Sequence, residues 1–87
     1  MIQFEINDGI KTINGKSLDL IIQTIDLSHL DLELFKKTFN KINSQQDLIE
    51  AMKSIKKDNT PTEILLYIKY LTSLSLADAT EILHEII

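Results

Sequence analysis

Imidazole and carboxylate side chains could do acid–base or metal chemistry, and this chain has only two histidines, His29 and His84. His84 follows Glu81 by three residues and precedes Glu85, so a helix here sets a carboxylate and an imidazole on one face. Such a pair could pass a proton. A metal site needs roughly three or four converging ligands, and neither histidine has another at the i+4 spacing that grips zinc from one helix. A histidine near a helix C-terminus has a simpler role, because its positive charge complements the helix dipole. His84 reads that way, and His29 reads as an ordinary residue at the first position of its helix. An enzyme using Glu81 and His84 is the least favoured class.

Other chemistries lack their parts. Without cysteine there is no thiolate nucleophile, zinc–thiolate site or disulfide, and a reducing, cytoplasmic setting is expected. No serine stands in a Gly-x-Ser-x-Gly elbow or in order with a histidine and an acid. The two glycines, Gly9 and Gly15, belong to turns rather than to a phosphate-cradling loop. The expectation is a non-catalytic chain with no cofactor and no metal.

Charge limits the partners. The formal net charge is −4, and all nine basic residues are lysine; arginine, the side chain suited to bidentate phosphate or guanine recognition, is missing. Lys36, Lys37 and Lys41, and then Lys53, Lys56 and Lys57, sit in the later turns of two expected helices, where they match the helix dipole. Strong nucleic-acid binding is not expected. Fifteen isoleucines and no arginine resemble the usage of an AT-rich genome, such as that of a bacterium or its phage. Met1 to Ile6 has no basic stretch followed by a long apolar run, and nothing approaches the ~18 uninterrupted apolar residues of a membrane span. No membrane association is expected.

The elements that would position these groups announce themselves at their starts. Ser28-x-x-Asp31, Ser44-x-x-Asp47, Thr60-x-x-Glu63 and Ser75-x-x-Asp78 recur at intervals of 16, 16 and 15 residues. In each, a hydroxyl can accept from an orphan backbone N–H while the acid reaches back. They predict helices from Ser28 to about Lys41, Gln45 to about Lys57, Pro61 to about Ser73, and Leu76 to the end. Pro61 suits the first helical position, where a missing N–H costs nothing. The period is shared helix syntax rather than a repeat, since beyond cap and stripe the segments have little in common.

Upstream, Ile2, Phe4 and Ile6 alternate with polar residues as in a half-buried strand. Asp8-Gly9 turns the chain and Ile10 to Ile13 returns. A three-residue loop from Asn7 to Gly9 would set Glu5 opposite Lys11. After Asn14-Gly15, Leu18, Ile21, Ile22 and Ile25 favour a short helix capped by Ser17; a third strand is the alternative, and its tightest register would set Ile10 against Asp19. The expected fold is one α+β domain over 1–87, mainly α. A β-hairpin at 1–15 is followed by a helical portion at 17–87, with four or five short helices packed around Pro61–Ser73.

That fourth capped segment is unusual. Ile64, Leu65, Leu66, Tyr67, Ile68, Tyr70, Leu71 and Leu74 leave scarcely a polar face, so the helix is either central or covered by another chain. Tyr67, Tyr70, Leu66 and Leu74 are the candidate interface residues. The expected function is a small protein–protein interaction module, a regulator, inhibitor or assembly factor acting on a protein partner or by self-association. An immunity protein or antitoxin, and a phage tail-assembly chaperone, fall in that class. The alternative is a DNA-binding transcriptional regulator using the last two helices, although Leu76 to Ile87 holds Asp78, Glu81 and Glu85 and no lysine. Thr72-Ser73-Leu74-Ser75-Leu76-Ala77-Asp78-Ala79 resembles the helix-turn-helix segment of the bacterial ribosomal stalk protein's C-terminal domain, Thr-Gly-Leu-Gly-Leu-Lys-Glu-Ala. Both glycines are serine here, the basic position is Ala77 and the element order differs, so no function is carried over.

Overall fold

Two short turns build the N-terminal sheet. Asp8 and Gly9 have φ of 52° and 78°, and Asn14 and Gly15 have 51° and 80°; paired positive φ values are the backbone of two-residue type I′ hairpins. In the computed structural model, which describes residues 2–87, they join β1 (Phe4–Asn7), β2 (Ile10–Ile13) and β3 (Lys16–Ser17) into an antiparallel sheet in sequence order. The loop is therefore two residues, not three. Asn7 pairs with Ile10, Ile6 with Lys11 and Glu5 with Thr12, so the expected Glu5–Lys11 pairing is not formed. Asp8-Gly9 alone supplies both positive-φ residues, and its twist matches that of the strands.

The sheet enters the core at one end only. Ile2 and Ile13 are buried, while Ile6 is 67% exposed and Ile10 is 59% exposed. The apolar alternation of β1 thus overshoots the core. Opposite Ile6, Lys11 reaches back: its ammonium donates to the Ile42 carbonyl and lies 5.7 Å from the centroid of Phe39. Partial burial pushes its pKa down, with Asp47 opposing the shift. β3 stops before Asp19 could meet Ile10. Ser17 ends the strand and caps a helix, its hydroxyl accepting from Leu20 N–H at 3.2 Å.

Five helices follow: α1 (Leu18–Thr24), α2 (Leu32–Lys41), α3 (Gln45–Ile55), α4 (Pro61–Thr72) and α5 (Leu76–His84). Thr60 and Glu63 form the complete reciprocal cap. Ser44 and Ser75 accept from the N–H three residues on, while Asp47 accepts from Asn43, one residue before the cap. The first box fails. Asp31, not Ser28, caps α2, its carboxylate accepting from both Glu33 and Leu34 N–H, whereas Ser28 N–H donates back to Asp26. An acid that satisfies two orphan donors outcompetes a hydroxyl that would satisfy one.

The expected centre is realised. α2, α3 and α5 each pack against α4, which buries Ile64, Tyr67, Ile68 and Leu71 among Phe35, Phe39, Leu48, Met52 and Leu83. No helix among the described residues is long and apolar enough to cross a membrane. Asn14 ties the sheet to this centre: Oδ1 accepts from Gln3 N–H and Nδ2 donates to the Thr72 carbonyl at 2.6 Å. One turn residue thus holds the N-terminal edge and a terminal carbonyl of α4.

The junction between α4 and α5 carries strain. Ser73 caps α4 at φ 59°, a left-handed backbone that favours glycine, and its buried hydroxyl has no hydrogen-bond partner among the described residues. Ser73→Gly should raise stability by about 1 kcal/mol in urea unfolding, because it relieves a β-carbon clash worth ~1–2 kcal/mol and removes an unpaired buried hydroxyl. Asn14→Ala should lower it by about 2 kcal/mol through two lost bonds and a disfavoured φ. Asn14→Gly, which keeps the φ and loses only the bonds, should lie between wild type and Asn14→Ala in the same measurement.

Candidate protein-binding groove

The four residues singled out on α4 divide. Tyr67 is 1% exposed, stacked on Phe35 with ring centroids 6.4 Å apart, and its hydroxyl accepts from Asp31 N–H at 3.2 Å. It belongs to the core and is not accessible to a partner. A central helix buries its ring, and the phenol is tolerated because it finds a donor. Burial pushes the Tyr67 pKa up, with the Asp31 bond opposing it. Leu66, Tyr70 and Leu74 are half-buried; Tyr70 and Leu74 pack on the core's edge, and the Lys69 ammonium lies 6.0 Å from the Tyr70 ring centroid. Most of α4's apolar surface is thus satisfied within the chain.

An apolar recess lies between α1 and α2, its half-buried residues resting on the core. Ile22 and Ile25 at the end of α1, Leu27 and Leu30 in the connection, and Leu32 at the start of α2 surround a groove of 350 Å³, completed by Asp26 and Ser28. That volume is at the low end of ligand-accepting pockets, ~300–1,000 Å³. Each wall has a local cause. α1 stops where Ile25 turns extended, Leu30 N–H closes a turn on the Leu27 carbonyl at 3.0 Å, and Asp31 starts α2 one residue before Leu32. Leu27 is buried, Ile22, Ile25 and Leu30 are half-buried, and Leu32 is 38% exposed.

Charge gathers at the same place. Residues 17–35 contain Asp19, Asp26, Asp31 and Glu33 and no lysine, while the other nine acids balance nine lysines. Lys16 and Lys36 bound this stretch, and the residues that build the groove, 22–32, hold two of the four acids, Asp26 and Asp31, with no lysine. Asp19, Asp26, Asp31 and Glu33 are all exposed. The Asp26 carboxyl is held below its ordinary pKa, first by the Ser28 N–H it accepts and then by the Ser28 hydroxyl. The nearest basic residue along α2 is Lys36, one turn beyond Leu32.

The histidines are not brought together. His29 is exposed in the turn before α2, not at a helix start, and His84 is exposed at the last residue of α5. Glu81 and Leu74 line a separate 240 Å³ cleft with Ile2, Gln45, Asp78 and Ile82. Among the described residues no three His, Asp or Glu side chains converge as metal ligands. The groove was missed in sequence because its apolar residues come from a helix end, a turn and a helix start. No single period links them, although the uneven charge of 17–35 was readable. Compared with known protein families, curated proteins and solved structures, the chain matches none.

The burial of Tyr67 yields a pH test. An unfolded tyrosine ionises near pH 10, whereas Tyr67 in the folded chain holds its proton to higher pH. Its contribution to stability is whole below about pH 10 and lost as pH rises through the folded value. In Tyr70→Phe, where Tyr67 is the remaining tyrosine, phenolate absorbance should appear together with loss of the far-UV helical signal. Tyr67→Phe should cost about 1 kcal/mol by urea unfolding.

Proposed function

We propose that the chain is a non-catalytic protein-interaction module, acting as a regulator, inhibitor or assembly factor, and that it receives apolar side chains of a partner in the groove between α1 and α2. The observation that carries this reading is the convergence of Ile22, Ile25, Leu27, Leu30 and Leu32 on a space the core does not close. An apolar recess with a polar rim is the anatomy of a site that takes an anchoring side chain. The charge distribution supports a protein rather than a nucleic acid as partner. Asp78, Glu81 and Glu85 lie exposed on or just beyond α5, the helix a DNA-binding reading would place in a groove, and they would be repelled by phosphates.

Peptide selection from an unbiased displayed library tests the reading. Leu32→Gln combined with Ile25→Thr removes apolar surface from the groove, while Leu66→Gln alters the half-buried face of α4. Peptides selected on the wild-type chain should lose at least about tenfold in affinity for the double variant, in keeping with truncation of buried anchors, and keep it for Leu66→Gln. Circular dichroism should show the helices of both variants intact. Binding that survives the double variant and falls with Leu66→Gln would move the interface to α4.

A further inference from the structure

We infer that the groove's partner is a cationic amphipathic segment of another protein, whose apolar side chains seat between α1 and α2 while its lysines or arginines meet Asp26, Asp31 and Glu33. The inference rests on the groove being the binding face and adds the chemistry of what fills it. Two independent features set that chemistry. The apolar lining requires an anchor of aliphatic or aromatic side chains, because a wholly polar ligand would leave Ile22, Ile25, Leu30 and Leu32 wet. Asp26 on the lining, and Asp31 and Glu33 on either side of the lining residue Leu32, give the rim one sign. A partner of the same sign meets repulsion at the encounter, and one of opposite sign is steered in.

Other occupants fit less well. An anionic lipid surface or a nucleic acid would meet Asp26 on the lining and Asp31 and Glu33 beside Leu32, all of its own sign. A second copy of the chain would have to offer a basic apolar segment. Its closest is Lys53 to Lys57, where Ile55 is the one apolar residue and the Lys56 ammonium already donates to the Ile86 carbonyl at 3.3 Å. A partner helix with apolar residues at i, i+4 and i+7 and basic residues beside them satisfies both features at once. Asp31 caps α2, whereas Asp26 holds only the Ser28 turn, so Asp26 and Glu33 are the rim acids whose charge can be removed without uncapping a helix. Asp26→Asn and Glu33→Gln remove the charge with little change of shape, and the amide oxygen introduced by the first could still accept from Ser28 N–H.

Fluorescence anisotropy with two helical peptides decides the matter, one carrying leucines at i, i+4 and i+7 flanked by lysines, the other the same with glutamates. The lysine peptide should bind the wild-type chain about tenfold tighter at low ionic strength, with the gap closing as salt screens the rim. Asp26→Asn with Glu33→Gln should cut the gap several-fold, and Ile25→Thr with Leu32→Gln should weaken the lysine peptide itself. Equal binding of both peptides, lost in Ile25→Thr with Leu32→Gln, would overturn the cationic assignment and leave the groove standing. Lysine-peptide binding untouched by that double variant, or by replacing its leucines with alanine, would overturn both. So would failure of both peptides to bind. A concentration-dependent dimer in sedimentation, abolished by the same groove variant, would assign the groove to a second copy instead.

Discussion

The bond between the Tyr67 hydroxyl and the Asp31 N–H decides more of this molecule than its size suggests. A tyrosine at the centre of a small core must pair its hydroxyl, since leaving it unpaired costs about 1–3 kcal/mol. Here the donor is the backbone of the residue that caps α2. With its N–H directed to Tyr67 and its carboxylate holding Glu33 and Leu34, Asp31 is fixed as the last residue before the helix. Leu30 and the residues before it are thereby left out of α2, α1 has already ended at Ile25, and Ile25, Leu27 and Leu30 of this connection join Ile22 and Leu32 as walls of the groove. The core and the candidate binding face share one constraint.

The remaining order follows from satisfying helix ends. α4 packs on three other helices and buries one face continuously, the kind of burial that outweighs modest helix propensity. Its last turn is held by Thr72, whose hydroxyl donates to the Ile68 carbonyl at 2.6 Å, and by the Asn14 amide on the Thr72 carbonyl. The Lys11 ammonium does the corresponding work at the end of α2. Both contacts run from the small sheet to helix C-termini, where carbonyls lack partners and positive or N–H groups are favourable. The sheet thus acts as a clip on two helices, with its tip, Ile6 to Ile10, exposed.

Much of this order was legible in the residues. Thr60-Pro61 with Glu63, Ser44 and Ser75 mark α4, α3 and α5 because local capping chemistry and the following apolar stripe agree. Ser17 and the Leu18–Ile25 spacing mark α1 for the same reason. Ser28 misled because two caps three residues apart compete; Asp31 wins by satisfying two orphan donors, and its own N–H on Tyr67 adds a tertiary contact that no local pattern contains. The β1–β2 register depended on whether Asn7 joins the turn, which the geometry of Asp8-Gly9 settles. On α4, an almost wholly apolar stretch could not say which tyrosine turns inward; packing against Phe35 selects Tyr67 and leaves Tyr70 at the margin. The groove was the least legible feature, since it is assembled from ends of elements rather than from one face of an element.

Coupling between core and groove makes a single experiment informative. Hydrogen exchange can be followed along the whole chain, free and saturated with a peptide that binds it. If the groove is the binding face, protection rises across residues 22–34, most of all at 25–31, where the connection between α1 and α2 lacks the regular bonds of a helix, while α4, already closed by the core, changes little. Protection gained instead along residues 65–74, with 22–34 unchanged, would contradict that assignment and return the interface to the margin of α4.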